Sequence, residues 1–175
     1  MPDGDPGMSG VPVVLVADRD PGLRSEIRSL LEVCGQQVVE ASTGVEALER
    51  CRRGTVHLAL LGVDIPELDG LDVLRLVRQD YSEAQLPVIL INRNRSVADF
   101  ADGMSLGAND YVGWPVEPAE IMARVDSALR TRDSYQRLQI RHDRLIDALN
   151  ARSQPKRRFR AATRPQIPHF WRYKG

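Results

Sequence analysis

The stretch Val13–Gly35, VVLVADRDPGLRSEIRSLLEVCG, reads as one strand followed at once by one helix. Val13 to Ala17 are five small or branched apolar residues in a row, the composition of a strand buried on both faces. Asp20 then supplies an N-cap carboxylate and Pro21 a first-turn residue whose missing N–H costs nothing there. Leu23, Ile27, Leu30 and Leu31 recur at helical spacing, and Gly35 supplies the stop. A short apolar run followed by an amphipathic segment is the unit of a parallel sheet wrapped by helices.

The same unit recurs four more times. Val38–Ala41 is the second strand, followed by a Thr43/Glu46 capping box and a helix expected to bury Val45, Leu48 and Cys51 before Gly54. His57–Leu61 is the third strand. A turn with Pro66 and Asp69-Gly70 leads into a helix with Leu71, Leu74 and Val77 inward. Pro87 introduces the fourth strand, Val88–Ile91, and Ser96 is the expected cap of a helix packing Val97, Phe100 and Met104 up to Gly107. Asp110–Val112 is the fifth strand, and the fifth helix starts near Glu117-Pro118. The expected class is α/β, a (βα)5 doubly wound parallel sheet.

The chain of 175 residues has room for one such domain and an addition. Its longest largely apolar stretch, Val56 to Val63, falls far short of the roughly 18 residues of a membrane span. Residues 1–10 are acidic and lack an apolar centre, so they read as a disordered leader and not a signal or transit peptide. Cys34 and Cys51 form no CxxC pair and His57 has no second His or Cys near it, so no metal site is expected and a cytoplasmic location is. No GxGxxG or Walker pattern occurs, which leaves nucleotide binding of the common kinds without support. No cofactor is expected.

The stretches VLVADRDPGLR (Val14–Arg24), LLGVDIPELDG (Leu60–Gly70), LPVILI (Leu86–Ile91) and LGANDYVGWP (Leu106–Pro115) closely resemble the receiver domain of bacterial two-component response regulators. The resemblance covers about residues 11–132 and implies the receiver, or flavodoxin-like, topology. It also implies a site at the carboxyl ends of the strands. In that family an aspartate four residues before the Pro of the Pro-x-x-Asp-Gly turn accepts a phosphoryl group, and here the position is Gly62, which has no side chain to act as nucleophile. The acid pair that holds Mg2+ reads Asp18 then Arg19, a guanidinium where a hard cation wants oxygen. The hydroxyl residue is Asn92 and the lysine is Trp114. Both lysines of the chain, Lys156 and Lys174, lie near its end, so no change of register restores that cation. Nucleophile, metal charge and lysine are missing in that arrangement, and a degenerate pseudo-receiver without enzymatic activity is expected.

Several roles stay open at this site. Asp64, two residues after Gly62, is the nearest carboxylate that could rescue the chemistry, and Tyr111 matches the family's aromatic switch although its partner hydroxyl is gone. Arg19, Arg93, Arg95 and Trp114 could form a new contact for an anion or a partner's carboxylate. Alternatively Arg19 neutralises Asp18 and Trp114 fills the cavity; Asp18 could also pair with Arg93.

No Gly or Pro terminator occurs between Pro118 and Pro155, so the fifth helix should continue through an extension, residues 133–153. Ile121, Ala128, Tyr135, His142 and Leu149 recur every seven residues, with Thr131, Leu138 and Leu145 between them and Arg124 at another core-type position. That seam suggests a homodimer through residues 117–150 or an arm for another partner. From Ala148 on there are eight basic residues and no acidic one, which leaves 16 basic against 24 acidic before it, a net −8 in a chain whose total is zero. The tail, 154–175, carries Arg157, Arg158, Phe159 and Arg160, then Phe170, Trp171 and Arg172, and is expected to be disordered alone. Arginines among aromatics suit nucleic acid, an acidic protein surface or a membrane surface. The expected function is phosphorylation-independent signalling through protein partners, and the alternative is a nucleic-acid-binding regulator that uses the tail.

Overall fold

The computed structural model describes residues 10–93 and 97–153. Five strands, β1 (Val13–Ala17), β2 (Gln37–Ala41), β3 (Leu58–Gly62), β4 (Val88–Asn92) and β5 (Asp110–Gly113), alternate with five helices. These are α1 (Pro21–Val33), α2 (Gly44–Arg52), α3 (Gly70–Asp80), α4 (Val97–Ser105) and α5 (Pro118–Ser153). All strand pairs are parallel, in the order β2-β1-β3-β4-β5. The expected (βα)5 doubly wound class is what the chain adopts. The leader before Gly10, the Ser96 cap, Arg95 and the whole tail from 154 to 175 lie outside the described residues.

Alternation along each strand divides the core in two. Leu15, Ala17, Ala59, Leu61 and Leu90 face a layer closed by Ala47 and Cys51 of α2 and Val73, Leu74 and Val77 of α3. Val14, Val16, Leu58, Leu60, Ile89 and Ile91 face the opposite layer, closed by Leu23, Ile27 and Leu31 of α1 and Ile121, Val125 and Leu129 of α5. The caps are local, as the residue types require. Asp20 accepts the Gly22 N–H at 2.8 Å, and Thr43 Oγ1 accepts the Glu46 N–H at 3.2 Å. Glu46 reaches back to the Ser42 N–H rather than to that of Thr43. Gly35 ends α1 at φ 84, the left-handed conformation that L side chains resist.

Four sequence expectations are corrected. His57 precedes β3 instead of belonging to it, and its Nδ1 accepts the Val13 N–H at 3.0 Å. Val45 is exposed, because α2 turns Gly44, Ala47 and Cys51 inward instead. The apolar stripe of α4 faces outward, with Val97 81%, Phe100 47% and Met104 41% exposed. Gly103 is the buried residue of that helix, and a Cβ there would run into Leu90 Cδ1, so α4 lies against β4 through a position without a side chain. Finally, the heptad seam does not begin at 117. Ile121 is buried with Val125 and Leu129 under the sheet, and the apolar seam residues left outside are Leu138, Leu145 and Leu149. The chain divides after Arg141 into two compact units, the second starting at His142.

Candidate functional site

The carboxyl ends of β1, β3, β4 and β5 bring Asp18, Gly62, Asn92 and the Trp114 segment to one pole of the sheet. Gly62 closes β3 between Ala17–Leu61 pairing on one side and Ile91 on the other. Asp18, only 6% exposed, directs its carboxylate over Gly62. A Cβ placed on Gly62 would fall on Asp18 Oδ2, with Asp18 Cγ at 3.1 Å and the Ala17 carbonyl oxygen at 3.3 Å. The space of a side chain at position 62 is therefore filled by the neighbouring strand's acid. On the far side of Gly62, its carbonyl is approached by Gly70, where a Cβ would also collide, which explains why the turn after β3 closes on glycine.

Asp18 is held from three directions. Its Oδ1 accepts the Asp20 N–H at 2.8 Å, its carbonyl accepts Arg24 Nη1 at 2.7 Å, and Arg93 Nη2 lies 3.8 Å from Oδ1. The same Arg93 nitrogen donates to Asp20 Oδ2 at 2.6 Å. That hydrogen bond, helped by the Gly22 N–H, holds the Asp20 carboxyl below its ordinary pKa. Asp20 thus caps α1 with one oxygen and anchors the end of β4 with the other. Arg19 is exposed and makes no ion pair among the described residues, so the cation beside Asp18 is Arg93, against the expectation that Arg19 neutralises it. Trp114 turns away to pack, half-buried, on the α1/α5 layer. Arg93 thus stands at the Asp18 and Asp20 carboxylates while Trp114 packs on the α1/α5 layer, and Arg95 lies outside the described residues.

The resemblance implies Mg2+, and the residues present do not fit it. Asp18 has one oxygen on a backbone amide and the other over Gly62, while a guanidinium stands beside both Asp18 and Asp20. A divalent ion would meet that fixed positive charge at close range. Among the described residues no group of three or more His, Cys, Asp or Glu side chains is arranged to hold a metal. Asp64 is exposed, outside this buried cluster.

Asn92, 2% exposed, donates from Nδ2 to Asp99 Oδ2 at 2.7 Å, which ties the end of β4 to the first turn of α4. Asp99 carried no signal in the sequence, where it is one more polar residue on a helix. Tyr111 packs edge-on against Phe100, with ring centroids 5.4 Å apart and planes at 88°. Burial raises the pKa of its hydroxyl, which has no partner of good hydrogen-bonding geometry among the described residues; the adjacent Asn92 side chain opposes the shift. Next to this pair opens a groove of about 690 Å³ lined by Val97, Phe100, Tyr111, Pro115, Val116 and Arg124. Arg124 is fixed there by Asp110 at 2.5 Å and Glu120 at 2.8 Å. An outward apolar helix face bounded by paired charges has the composition of a protein contact surface.

Residues 14–126 match the family model described as the response regulator receiver domain. The chain is 37% identical over 117 residues to the uncharacterized transcriptional regulatory protein YkoG of Bacillus subtilis, an alignment covering 67% of this chain and 50% of that protein. It is 36% identical over 120 residues to the probable transcriptional regulator ycf27 of Porphyra purpurea, covering 69% and 48%. The chain spans about half the length of these curated relatives. Among solved structures it is similar to a probable two-component response regulator/GGDEF domain protein, with TM-score 0.66, 32% identity and 70% and 50% of the two chains covered. A CheY-like receiver domain protein from Methanospirillum hungatei shares the fold at TM-score 0.67 and 21% identity, over 72% of this chain and 99% of that one.

Proposed function

The chain belongs to the response regulator receiver family, and on that premise we propose that it is a two-component signalling regulator that works by binding proteins, without phosphoryl transfer and without being phosphorylated. One observation carries this reading: the place of an acceptor side chain at Gly62 is occupied by the Asp18 carboxylate. Phosphoryl transfer to a receiver needs a nucleophile, a metal ion and a cation on the equatorial oxygens. Here the first is a hydrogen atom, the second is opposed by Arg93, and the third is an indole packed elsewhere. With no chemistry to perform, the domain is left with its surfaces. The groove between α4, β5 and α5 suits a partner because Val97 and Phe100, which line it, are apolar and exposed.

Incubation of the full-length protein with acetyl phosphate or a histidine kinase should leave no acid-labile, hydroxylamine-sensitive phosphoryl group. Finding one on Asp18 or Asp64 overturns the proposal. The exposed Leu138, Leu145 and Leu149, at heptad spacing, support self-association through the later part of α5. Among the described residues no helix is long and apolar enough to cross a membrane.

A second reading, nucleic-acid binding through the tail, draws on its Arg157-Arg158-Phe159-Arg160 and Phe170-Trp171-Arg172 clusters. The two relatives named above as transcriptional regulators give it a context. Oligonucleotide binding with a steep salt dependence that disappears on deletion of Pro155–Gly175 favours it over the first reading.

A further inference from the structure

The pole of the sheet opposite Gly62 carries a second cavity, about 890 Å³, at the amino ends of the strands. Val56 and His57 line it just before β3, Leu86 just before β4, Cys51 from α2, and Arg132 and Ile140 from α5. All of these lie in the first compact unit. Its size is that of small-molecule sites, and such sites combine apolar walls with a few fixed polar groups.

Arg132 is the unusual member. It is 8% exposed, yet its hydrogen bonding is thin: Nε donates to the Gln85 carbonyl at 3.2 Å, and the nearest carboxylate, exposed Asp133, is 4.0 Å from Nη1. Arg78 shows what this fold does with a structural arginine. Less buried than Arg132, it places Nε on the Gly107 carbonyl at 2.8 Å, Nη1 on the Leu86 carbonyl at 2.9 Å and Nη2 on Asn109 Oδ1 at 3.0 Å. A guanidinium removed from water needs acceptors for its N–H groups. Those of Arg78 are met by the chain, whereas among the described residues Nε is the one Arg132 side-chain donor with a hydrogen bond, and its side chain lines the cavity. Burial pulls the Arg132 pKa below its ordinary value. His57 adds a second donor. Its Nδ1 accepts the Val13 N–H, so the ring proton sits on Nε2, and burial next to Arg132 lowers its pKa and keeps it neutral.

We propose that this cavity binds a small carboxylic acid with an apolar body, its carboxylate on the Arg132 fork and its body against Val56, Leu86 and Ile140. A carboxylate matches the planar fork with two parallel hydrogen bonds and brings its charge closer than Asp133, which stands 4.0 Å from Nη1. Bound there, the ligand joins the strand starts to α5. A receiver that takes no phosphoryl group would gain an input in this way, although the binding itself does not depend on that reading.

The test is a titration of the full-length protein with benzoate and with benzamide, its uncharged analogue, followed by amide chemical shifts at constant ionic strength. Benzoate should give saturable shifts at Val56, His57, Leu86 and Ile140 in the millimolar range or below. Benzamide should bind roughly tenfold or more weakly, the loss expected for one charge-assisted pair. Arg132→Gln should show the same loss. If that variant does not fold, Ile140→Trp, which fills the cavity without touching the charge, should abolish the shifts instead. Equal binding of the two compounds reveals a mere apolar hole and overturns the proposal. So do an absence of saturation, or shifts confined to Arg19 and Arg93 at the other pole.

Discussion

Gly62→Ala tests the reading of the degenerate site with the smallest change available. The new methyl carbon collides with Asp18 Oδ2, and the Ala17 carbonyl oxygen lies 3.3 Å from it. The carboxylate must then rotate. It is 6% exposed, so it cannot reach water without giving up the Asp20 N–H at 2.8 Å and the nearby Arg93. Losing a hydrogen bond to a charged group costs about 1.5–3 kcal/mol, and overpacking a closed site costs about 1–3 kcal/mol. The two overlap, because rotation relieves the crowding that causes it, and a total near 3 kcal/mol is expected. For a domain of this size that corresponds to a fall in Tm of roughly 10 °C. Urea unfolding followed by far-ultraviolet circular dichroism measures it. In an Asp18→Ala background the same substitution should cost less than about 1 kcal/mol, since the colliding group is gone. A cost for Gly62→Ala within about 0.5 kcal/mol of zero, or one unchanged by Asp18→Ala, would refute the placement of the Asp18 carboxylate. Gly62→Asp, which restores an acceptor, should remain unphosphorylated by acetyl phosphate because Arg93 still opposes the metal and Trp114 stands at the family's lysine position.

Four further outcomes follow from particular contacts. His57 accepts a backbone N–H and has a lowered pKa in the folded state, so the unfolded chain binds a proton first. Stability should be level above the ordinary value of 6.5 and fall as the pH drops below it, a dependence that His57→Gln flattens in denaturant titrations. Arg78→Met should lower stability by about 3 kcal/mol by stranding the Gly107 and Leu86 carbonyls and leaving Asn109 Oδ1 with the Val88 N–H alone, with Arg78→Lys recovering less than half in the same assay. Cys51 is buried with its thiol pushed up to about 12, whereas Cys34 is exposed, so a thiol reagent should modify only Cys34 until the protein is unfolded. Leu138→Glu with Leu145→Glu should abolish concentration-dependent sedimentation while leaving Tm within about 2 °C, because both side chains are 64% exposed; a monomer at every concentration before mutation removes self-association.

Much of this molecule is determined within a few residues of chain. Strand composition, the Asp20 and Thr43 caps and the Gly35 stop each depend on partners no more than about five positions away, and backbone geometry settles those. That is why the order of five βα units and the position of Gly62 at a strand end were legible in the sequence, together with the lack of any lysine near it. Periodicity identified which side of α4 and α5 is apolar, but not whether anything covers it. Packing on the sheet decided that Gly103 turns inward while Val97 and Phe100 turn out, and that Ile121 belongs to the core while Leu138 does not. The site itself is made of long-range pairs. Arg93 meets Asp20 across 73 residues, and Asp18 covers Gly62 from the adjacent strand. Such contacts require the sheet to be assembled before the groups are neighbours, so residue types alone pointed to the adjacent Arg19 as the cation on Asp18, and only the folded sheet brings Arg93 there instead.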